Sequence, residues 1–274
     1  MDAGLLVLGA TGRLGRFLRA TWGSEGPAGL PVIWQTRSRD VPPGWLHWRP
    51  GQPLPPARTV LVLAGVTAGD ATALAENTHI GLAACKAAGT ARVLLASSAA
   101  VYGAADGADE QCLPAPLRPY GAAKLAMERA CLDGLTTPGG AQVTALRIGN
   151  VVGADMLGTV VAKGGPVRLD QFSDGTGPVR SYIGPVAFAR VIAALATHPQ
   201  RLPPVLNLAA PQPVAMADLL TAAGIGFDWQ PAPPEALPRA VMATDLLQSL
   251  VPFAPDDSTA TGMIAEWNSL KGSQ

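Results

Sequence analysis

Two side chains are spaced for proton transfer. Tyr120 and Lys124 stand four residues apart, which places both on one face of a helix. The pKa of a free tyrosine is about 10, and a nearby ammonium group lowers it by stabilising the phenolate. We therefore expect Tyr120 to exchange a proton with a substrate oxygen near neutral pH. A surface pair without a chemical role has the same spacing, so other residues must support this interpretation.

Two hydroxyl groups provide that support. The apolar run Leu94–Ala96 is typical of a buried strand, and it ends in Ser97 and Ser98. Side chains at the carboxyl ends of parallel strands face the ligand crevice. We expect Ser98 to hydrogen-bond to the reacting oxygen and Ser97 to be bonded by backbone groups at the strand end. Ordinary turn serines are the alternative.

Three glycines are spaced three residues apart in LLVLGATGRLG, at Gly9, Gly12 and Gly15. The stretch begins with an apolar run and leads into a segment of helical composition. Helix N-termini carry unpaired N–H groups and a partial positive charge, and glycine removes the Cβ that would block a close approach. The pattern predicts a turn that holds the pyrophosphate of a dinucleotide. An ordinary tight turn is the alternative.

The residues after the second predicted strand select the dinucleotide. In doubly wound folds a carboxylate there binds the ribose hydroxyls, whereas an arginine accommodates a 2′-phosphate. This chain has Arg37, Ser38 and Arg39, and its first carboxylate in this stretch is Asp40. NADP(H) is therefore preferred over NAD(H), with Arg13 expected at the same phosphate. Solvated loop arginines are the alternative.

These residues need a fold that brings strand ends together. Short apolar strands alternate with helical stretches through the first 150 residues, which is the pattern of βαβ units and a parallel sheet. The predicted strands are Leu5–Leu8, Val32–Thr36, Leu46–Trp48, Thr59–Leu63, Val93–Ala96 and Val143–Arg147. The predicted helices are Leu14–Trp22, Ala71–Ala88 and Tyr120–Leu132. An α/β, Rossmann-type doubly wound parallel sheet over residues 1–152 would place the glycine turn and the Ser/Tyr/Lys residues at one edge.

The alternation loosens after Gly153. Loops with proline and glycine separate a helix near Val186–Thr197, a strand at Val205–Leu208 and a helix near Ala215–Ala223. We expect residues 153–274 to form mainly a small C-terminal substrate-binding subdomain, with some segments returning to the Rossmann core. The proline-rich part, Trp229–Pro255, is expected to wrap the surface.

Composition excludes several classes of function. The 274 residues are 48% hydrophobic, and 20 basic residues balance 20 acidic ones without a long run of like charges, so no nucleic-acid partner is expected. The three cysteines form no CxxC pair and have no histidine cluster nearby, so no metal site is expected. The first apolar run is too short for a signal peptide or a membrane span. We therefore expect a cytoplasmic protein without a membrane partner.

Four motifs occur in an order that closely resembles the extended short-chain dehydrogenase/reductase family, also called the NAD-dependent epimerase/dehydratase family. They are the glycine turn, SSAAVYG at 97–103, PYGAAK at 119–124 and LRIGNVVG at 146–153. The resemblance covers about Leu5–Asn150 and continues more weakly through Phe172–Leu195. It implies Tyr120 as acid/base and Ser98 as the residue that orients the substrate oxygen. It also implies that Lys124 lowers the tyrosine pKa and holds the nicotinamide ribose.

The resemblance implies binding roles as well. Asn77 matches a helix asparagine near the cofactor, and Arg180 matches an arginine that contacts the diphosphate of a nucleotide sugar. The expected cofactor-binding residues are Gly9, Thr11, Gly12, Arg13, Leu14, Gly15, Arg37, Ser38, Arg39, Ala64, Gly65, Asn77, Tyr120 and Lys124. The expected substrate-binding residues are Ser98, Asn150 and Arg180. The expected substrate is a small-molecule carbonyl compound or alcohol, with a sugar nucleotide among the candidates. The resemblance also implies a homodimer paired through the second and third predicted helices.

Departures from the family narrow the reaction. Family dehydratases carry Thr-Asp-Glu where this chain has Ser98-Ala99-Ala100, so dehydration is disfavoured. Ser181 and Gly184 stand where the family has aspartates, which argues against a nucleotide-sugar substrate. The usual adenine-contacting aspartate is also missing from Arg49-Pro50-Gly51-Gln52. Three hypotheses stay open: an epimerase that retains its cofactor, an NADPH-dependent reductase of a smaller ketone or aldehyde, and a non-catalytic NADP(H)-binding regulator.

Overall fold

Strands and helices alternate along the chain as the sequence predicts. The computed structural model describes residues 3–23, 26–27, 29–133, 140–155, 158–160, 164 and 166–271. Its strands are β1 (Ala3–Leu8), β2 (Val32–Thr36), β3 (Leu46–His47), β4 (Ala57–Val62), β5 (Arg92–Ser98), β6 (Gln142–Ile148), β7 (Asn150–Val151), β8 (Val167–Gln171), β9 (Val179–Arg180), β10 (Tyr182–Ile183), β11 (Val205–Leu208), β12 (Val214–Ala215), β13 (Phe227–Pro231) and β14 (Arg239–Ala240). Its helices are α1 (Arg13–Trp22), α2 (Ala71–Ala87), α3 (Pro119–Asp133), α4 (Pro185–Thr197), α5 (Met216–Ala222), α6 (Asp245–Leu250) and α7 (Ala260–Ser269), with 3-10 turns at Ala99–Tyr102 and Pro255–Ser258.

A parallel sheet of seven strands lies at the centre, in the order β3-β2-β1-β4-β5-β6-β11. The order reverses at β1, because the chain first builds outward through β2 and β3 and then continues on the other side with β4. Ligands of open α/β sheets bind at such a reversal, outside the carboxyl ends of the strands. The predicted Rossmann-type doubly wound sheet is confirmed.

Each face of the sheet buries alternate side chains of its strands. In β1, Leu5 and Val7 join a cluster that includes Phe17 of α1. Leu6 and Leu8 join the opposite cluster, which also contains side chains of α2 and α3. All four β1 side chains are fully buried, and burial of each contributes roughly 2 kcal/mol. This burial anchors the strand whose carboxyl end leads into the glycine turn.

The C-terminal half returns to this sheet. Val205–Leu208, which the sequence places with the smaller subdomain, pairs in parallel with β6 and covers an edge that would otherwise expose unpaired backbone groups. Helix α4 packs against α1 on one face of the sheet. The smaller sheets are β12-β9-β14, β13-β8 and β10-β7. Trp229–Pro255 contributes to β13, β14 and α6, and Leu247 of α6 is fully buried, so this segment does more than wrap the surface.

The described residues also bear on membranes and metals. None of the described helices is both long enough and apolar enough to cross a membrane. Within the same part of the chain, no three His, Cys, Asp or Glu side chains are grouped as they would be around a metal ion. Cys85, Cys112 and Cys131 are free thiols.

Candidate active site

The glycine turn follows β1 and is held by close backbone packing. Gly9 has a φ of 90°, in the left-handed region that favours glycine. A Cβ on Gly9 would lie 2.5 Å from the backbone nitrogen of Ala64. One on Gly15 would lie 2.6 Å from the carbonyl oxygen of Ala10. The turn therefore packs directly on the loop after β4 and on the first turn of α1.

Gly9→Ala is expected to destabilise the protein more than Gly51→Ala. Gly51 has a φ of 91°, but nothing lies within 4 Å of its Cβ position. We expect Gly51→Ala to lower the free energy of unfolding by about 1–2 kcal/mol, the cost of a left-handed backbone alone. Gly9→Ala should cost about 3 kcal/mol or more, because contact with Ala64 adds overpacking. Urea unfolding measures both losses, and equal values would contradict the role of the Ala64 contact.

Helix α1 begins at this turn with backbone donors available to a ligand. Gly12 is its N-cap, and in the described part of the chain no side chain caps α1 and no acidic residue lies in its first turn. Arg13 and Leu14 supply the first N–H groups of the helix. Such groups, together with the helix dipole, attract an anion. The donors at this turn fit the pyrophosphate of a dinucleotide.

Two cavities meet at the turn and form one cleft. The arginine-side cavity, of about 870 Å³, has a lining that includes Gly9, Thr11, Gly12, Gln35, Arg37, Ser38, Trp48, Arg49, Ala64 and Gly65. The tyrosine-side cavity, of about 550 Å³, has a lining that includes Gly9, Gly12, Arg13, Leu14, Gly15, Gly65, Ser98, Tyr120, Lys124 and Asn150. Gly9, Gly12 and Gly65 line both cavities, which therefore adjoin at the turn. A ligand that crosses the turn would reach Arg37 on one side and Tyr120 on the other.

The arginine-side cavity carries two guanidinium groups. Arg37 and Ser38 line it, whereas the exposed Arg39 lies outside its lining residues. Arg49 lines it as well, and Nη2 of Arg49 donates to the carbonyl oxygen of Arg37 at 3.3 Å. The sequence interpretation noted an aspartate missing near this position but missed Arg49 itself, which the pairing of β2 with β3 brings to the cleft. Two cations and a hydroxyl fit a phosphate group.

A buried glutamine joins the glycine turn to this side of the cleft. Gln35 is 4% exposed. Its Oε1 accepts a hydrogen bond from the N–H of Gly9 at 2.8 Å, and its Nε2 donates to the carbonyl oxygen of Trp48 at 2.8 Å. Gln35 thus fixes both the turn and the segment that leads to Arg49. No local pattern marks this residue, because its partners lie in other parts of the sequence.

Ser98, Tyr120 and Lys124 line the tyrosine-side cavity together. Ser98 ends β5, and the other two residues lie on α3. A Cβ on Gly121 would lie 3.0 Å from the carbonyl carbon of Ala100. The glycine therefore allows the start of α3 to pack against the 3-10 turn that follows Ser98. The structure thus brings the three predicted catalytic residues to one side of the cleft.

The two serines at the end of β5 have different partners. Oγ of Ser98 accepts a hydrogen bond from the N–H of Ala100 at 3.2 Å, and the hydroxyl of Tyr120 is its other neighbour. Ser97 is 4% exposed and donates its hydroxyl hydrogen to Glu128 of α3. The prediction that backbone groups satisfy Ser97 is wrong, because a buried carboxylate is the stronger acceptor.

Burial sets the protonation of the Tyr120–Lys124 pair. Nζ of Lys124 donates to the carbonyl oxygen of Ala96 at 2.8 Å and lies 5.9 Å from the ring centre of Tyr120. Burial lowers the pKa of Lys124 to about 8, although the charge of Glu128 raises it. Burial also raises the pKa of Tyr120 above its ordinary value, and its hydrogen bond with Ser98 offsets this only in part. The expected lowering of the Tyr120 pKa does not hold here, so the phenol is protonated at neutral pH.

Asn77 lies behind the loop that follows β4. Its Oδ1 accepts from the N–H of Val66 at 3.1 Å. Its Nδ2 donates to the carbonyl oxygens of Val66 and Leu74, both at 2.9 Å. Ala64 and Gly65 of the same loop line the cleft, and a Cβ on Gly65 would lie 2.6 Å from Oδ1 of Asn77. Asn77 therefore holds the loop in place, and the cofactor contact that the resemblance implies stays a prediction.

Two arginines have positions that differ from those expected. Arg13 lines the tyrosine-side cavity, away from Arg37, because α1 starts at the junction of the two cavities. Its Nη1 donates to the carbonyl oxygen of Ala154 at 3.1 Å. The guanidinium of Arg180 is bonded to the backbone, because β14 pairs with β9 and brings the preceding segment against it. Its acceptors are the carbonyl oxygens of Val179, Leu237 and Pro238.

The parallel sheet, with a cleft at the carboxyl ends of its strands, defines a Rossmann-type α/β protein. The sequence model of the NAD dependent epimerase/dehydratase family matches residues 58–208, which include Ser98, Tyr120, Lys124 and Asn150. The chain belongs to this family. Comparison with curated protein sequences gives no match.

Solved structures share the fold over nearly the whole chain. The protein MoeE5 in complex with UDP-glucuronic acid and NAD has a TM-score of 0.72 at 22% identity, covering 99% of this chain and 100% of that one. TunA, a NAD dependent NDP-hexosamine 5,6-dehydratase involved in tunicamycin biosynthesis, has a TM-score of 0.77 at 20% identity, with 100% and 99% covered. The Thermus thermophilus UDP-glucose 4-epimerase complex with NAD has a TM-score of 0.72 at 22% identity, with 98% and 99% covered. At these identities the likeness shows the fold.

Proposed function

We propose that this protein is a nicotinamide-dinucleotide-dependent oxidoreductase that interconverts a secondary alcohol and its ketone and prefers NADP(H). One observation carries the proposal: Ser98, Tyr120 and Lys124 line a cavity that is continuous with the glycine turn. The turn offers donors for a pyrophosphate, and the three side chains offer the means of moving a proton. A binding protein without a reaction would have no use for this second group.

The side chains of the cleft handle the proton of this reaction. When bound, the nicotinamide supplies or accepts a hydride at the substrate carbon. In the direction of reduction, Tyr120 transfers its hydroxyl proton to the carbonyl oxygen, which becomes the hydroxyl of the product. Ser98 donates a hydrogen bond to the same oxygen. Because burial keeps the pKa of Tyr120 above its ordinary value, the phenol holds the proton that reduction requires.

The choice of dinucleotide is supported on two levels. Similar structures contain NAD, which supports a nicotinamide dinucleotide as the cofactor. The preference for NADP(H) is supported by Arg37, Ser38 and Arg49, which line the arginine-side cavity. Glu76 of α2 lines it too, so two guanidinium groups face one carboxylate there. A dianionic 2′-phosphate gains charge-assisted hydrogen bonds from two guanidinium groups, which a ribose hydroxyl cannot match.

Epimerisation of a sugar nucleotide is a second candidate. It is favoured by the similar fold of the Thermus thermophilus UDP-glucose 4-epimerase and of MoeE5, which was solved with UDP-glucuronic acid. The position of Arg180 supports a smaller substrate instead, because its guanidinium is bonded to three backbone carbonyls of its own chain. Releasing it to bind a diphosphate would remove these hydrogen bonds, and of the three carbonyl oxygens that of Pro238 would still accept from the N–H of Val179.

A cofactor-exchange experiment separates the candidates. We expect the desalted protein to lose its dinucleotide and then to oxidise NADPH with a panel of ketones, forming one alcohol for each NADPH consumed. Absorbance at the nicotinamide band and product chromatography measure the two quantities. Cofactor that stays bound at one per chain, with interconversion of UDP-sugars and no net oxidation, would establish the epimerase. Tight NADP(H) binding without turnover of either panel would contradict both candidates.

A further inference from the structure

A charged group lies buried behind the tyrosine-side cavity. Glu128 and Arg147 are 2% and 4% exposed. The carboxylate of Glu128 accepts hydrogen bonds from Nη2 of Arg147 at 2.8 Å and from its Nε at 3.2 Å, and also from the hydroxyl of Ser97. A buried ion pair is poor evidence of a stabilising role, because desolvation of the two charges cancels much of their attraction. The position of this pair points to a different role.

Glu128 lies on the catalytic face of α3. Tyr120, Lys124 and Glu128 follow one another at intervals of four residues, so their side chains form one row on the helix. The partner of Glu128 on β5 is Ser97, which stands between Ala96 and Ser98. The carbonyl oxygen of Ala96 accepts the hydrogen bond of Lys124 at 2.8 Å. The carboxylate thus ties α3 to the strand end that carries both the acceptor of Lys124 and Ser98.

Few charges face the ammonium group of Lys124. Lys124 is 5% exposed, and on its own helix its neighbours are the uncharged phenol of Tyr120 and the carboxylate of Glu128. From the loop after β4 and from α2, its neighbours are Gly65 and Asn77, which are neutral.

The remaining elements add further charged groups. Strand β5 presents the uncharged carbonyl group of Ala96. Strand β6 contributes Arg147, which is bonded to the other side of Glu128. Arg13 and Asp155 also line the tyrosine-side cavity, where Arg13 donates to the carbonyl oxygen of Ala154 and Asp155 accepts from the N–H of Gly158. Glu128 is the carboxylate whose charge raises the pKa of Lys124. Neutralising it would leave Arg147 behind the lysine without compensation.

We propose that Glu128 is a positioning residue for the hydride-transfer reaction, which holds Ser98 and Lys124 in register and keeps the ammonium of Lys124 charged. The proposal rests on the proposed function for its kinetic consequences. Burial lowers the pKa of Lys124 to about 8, and Glu128 opposes that shift. Once Tyr120 has transferred its proton, the ammonium of Lys124 stabilises the resulting phenolate, so the charged form of Lys124 is the working form in this proposal. Activity is then present below the pKa of Lys124 and is lost as the pH rises through it.

Glu128→Gln is the primary test. We expect kcat to fall about tenfold. In the pH profile of kcat, the alkaline limb should move down by about one pH unit, because Lys124 has lost an opposite charge at close range. The KM for NADPH should stay within about twofold, since Glu128 lies behind the cleft. Ser97→Ala is the matched control: it removes a hydrogen bond to Glu128 but keeps the charge, so the alkaline limb should not move. A limb at the wild-type position in Glu128→Gln would overturn the proposal.

Two further measurements test the proposal if Glu128→Gln does not fold or if the protein shows no turnover. If Glu128→Gln leaves Arg147 uncompensated and does not fold, the double variant Glu128→Gln/Arg147→Met removes both charges, and its limb should still lie below that of the wild type. Titration of the 13C-labelled lysine side chains by NMR reports on Lys124 without turnover, with Lys124→Met to assign its signal among the four lysines. The midpoint should fall in Glu128→Gln. An unchanged midpoint refutes the role of Glu128, whereas a shifted midpoint in a protein without reductase activity refutes the proposed function alone.

Discussion

Tyr120→Phe is expected to lower kcat by about 10²- to 10⁴-fold, the contribution typical of a positioned general acid. The substitution removes the hydroxyl beside Ser98 and leaves the ring in place. Without this donor, the oxygen that gains negative charge during reduction must take its proton from water. The dissociation constant for NADPH should change by less than about threefold, since charged and backbone donors elsewhere in the cleft carry most of the cofactor affinity. Stopped-flow turnover and fluorescence titration of NADPH measure the two effects.

Tyr102→Phe is the matched control. Its hydroxyl donates to Oδ1 of Asn207 at 2.7 Å, and the residue is 3% exposed, so this phenol lies in the interior and does not line the cleft. We expect the free energy of unfolding to fall by about 1 kcal/mol, the typical net worth of one hydrogen bond, with turnover kept. If Tyr120→Phe kept wild-type turnover, or if both variants lost it equally, the acid/base assignment would be wrong.

Removal of either arginine of the arginine-side cavity is expected to erase much of the preference for NADPH. Hydrogen bonds to charged groups contribute about 1.5–3 kcal/mol, so Arg37→Ala and Arg49→Ala should each raise the dissociation constant for NADPH by about 10- to 100-fold. NADH has no 2′-phosphate, and its dissociation constant should stay within about threefold. Isothermal titration with both dinucleotides gives the comparison directly.

Arg39→Ala supplies the control for charge alone. Arg39 is exposed and lies two residues from Arg37, but it is not among the residues that line the cavity. Its removal changes the net charge by the same amount and should leave both dissociation constants within about twofold. Wild-type protein that binds NADH more tightly than NADPH would refute the preference. If Arg39→Ala and Arg49→Ala weakened NADPH binding equally, the preference for NADPH would come from net charge rather than from contacts in the cavity.

Local patterns are sufficient to predict most of the central sheet. Strand β2 has the predicted bounds Val32–Thr36, and α2 ends one residue before its predicted end at Ala88, because apolar runs and helical composition are properties of adjacent residues. Local patterns do not predict which strands become neighbours in the sheet. The pairing of Val205–Leu208 with β6 joins segments about sixty residues apart, and no pattern within either segment specifies its partner.

The candidate site likewise contains residues that the sequence predicts and residues that it does not. Tyr120 and Lys124 are predictable because the turn of a helix fixes their common face. The roles of Arg49, Gln35 and Glu128 cannot be predicted in this way, because each depends on contacts with residues distant in sequence. Arg180 is the opposite case, in which a sequence motif predicts a ligand contact that the fold replaces. The pairing of β9 with β14 places its guanidinium against backbone carbonyl oxygens, to which it is hydrogen-bonded. A motif specifies a residue type, whereas the tertiary fold decides what that residue contacts.

Strand β11, the seventh strand of the central sheet, joins the C-terminal half of the chain to the N-terminal half. β11 completes the hydrogen bonding of β6, while Thr59 and Arg92 of the sheet donate to the carbonyl oxygens of Ala196 and Leu195 at the end of α4. A fragment ending at residue 152 would expose a strand edge prone to self-association. We therefore expect one cooperative unfolding transition, in which dinucleotide binding protects the C-terminal half against proteolysis as strongly as the half that touches the dinucleotide.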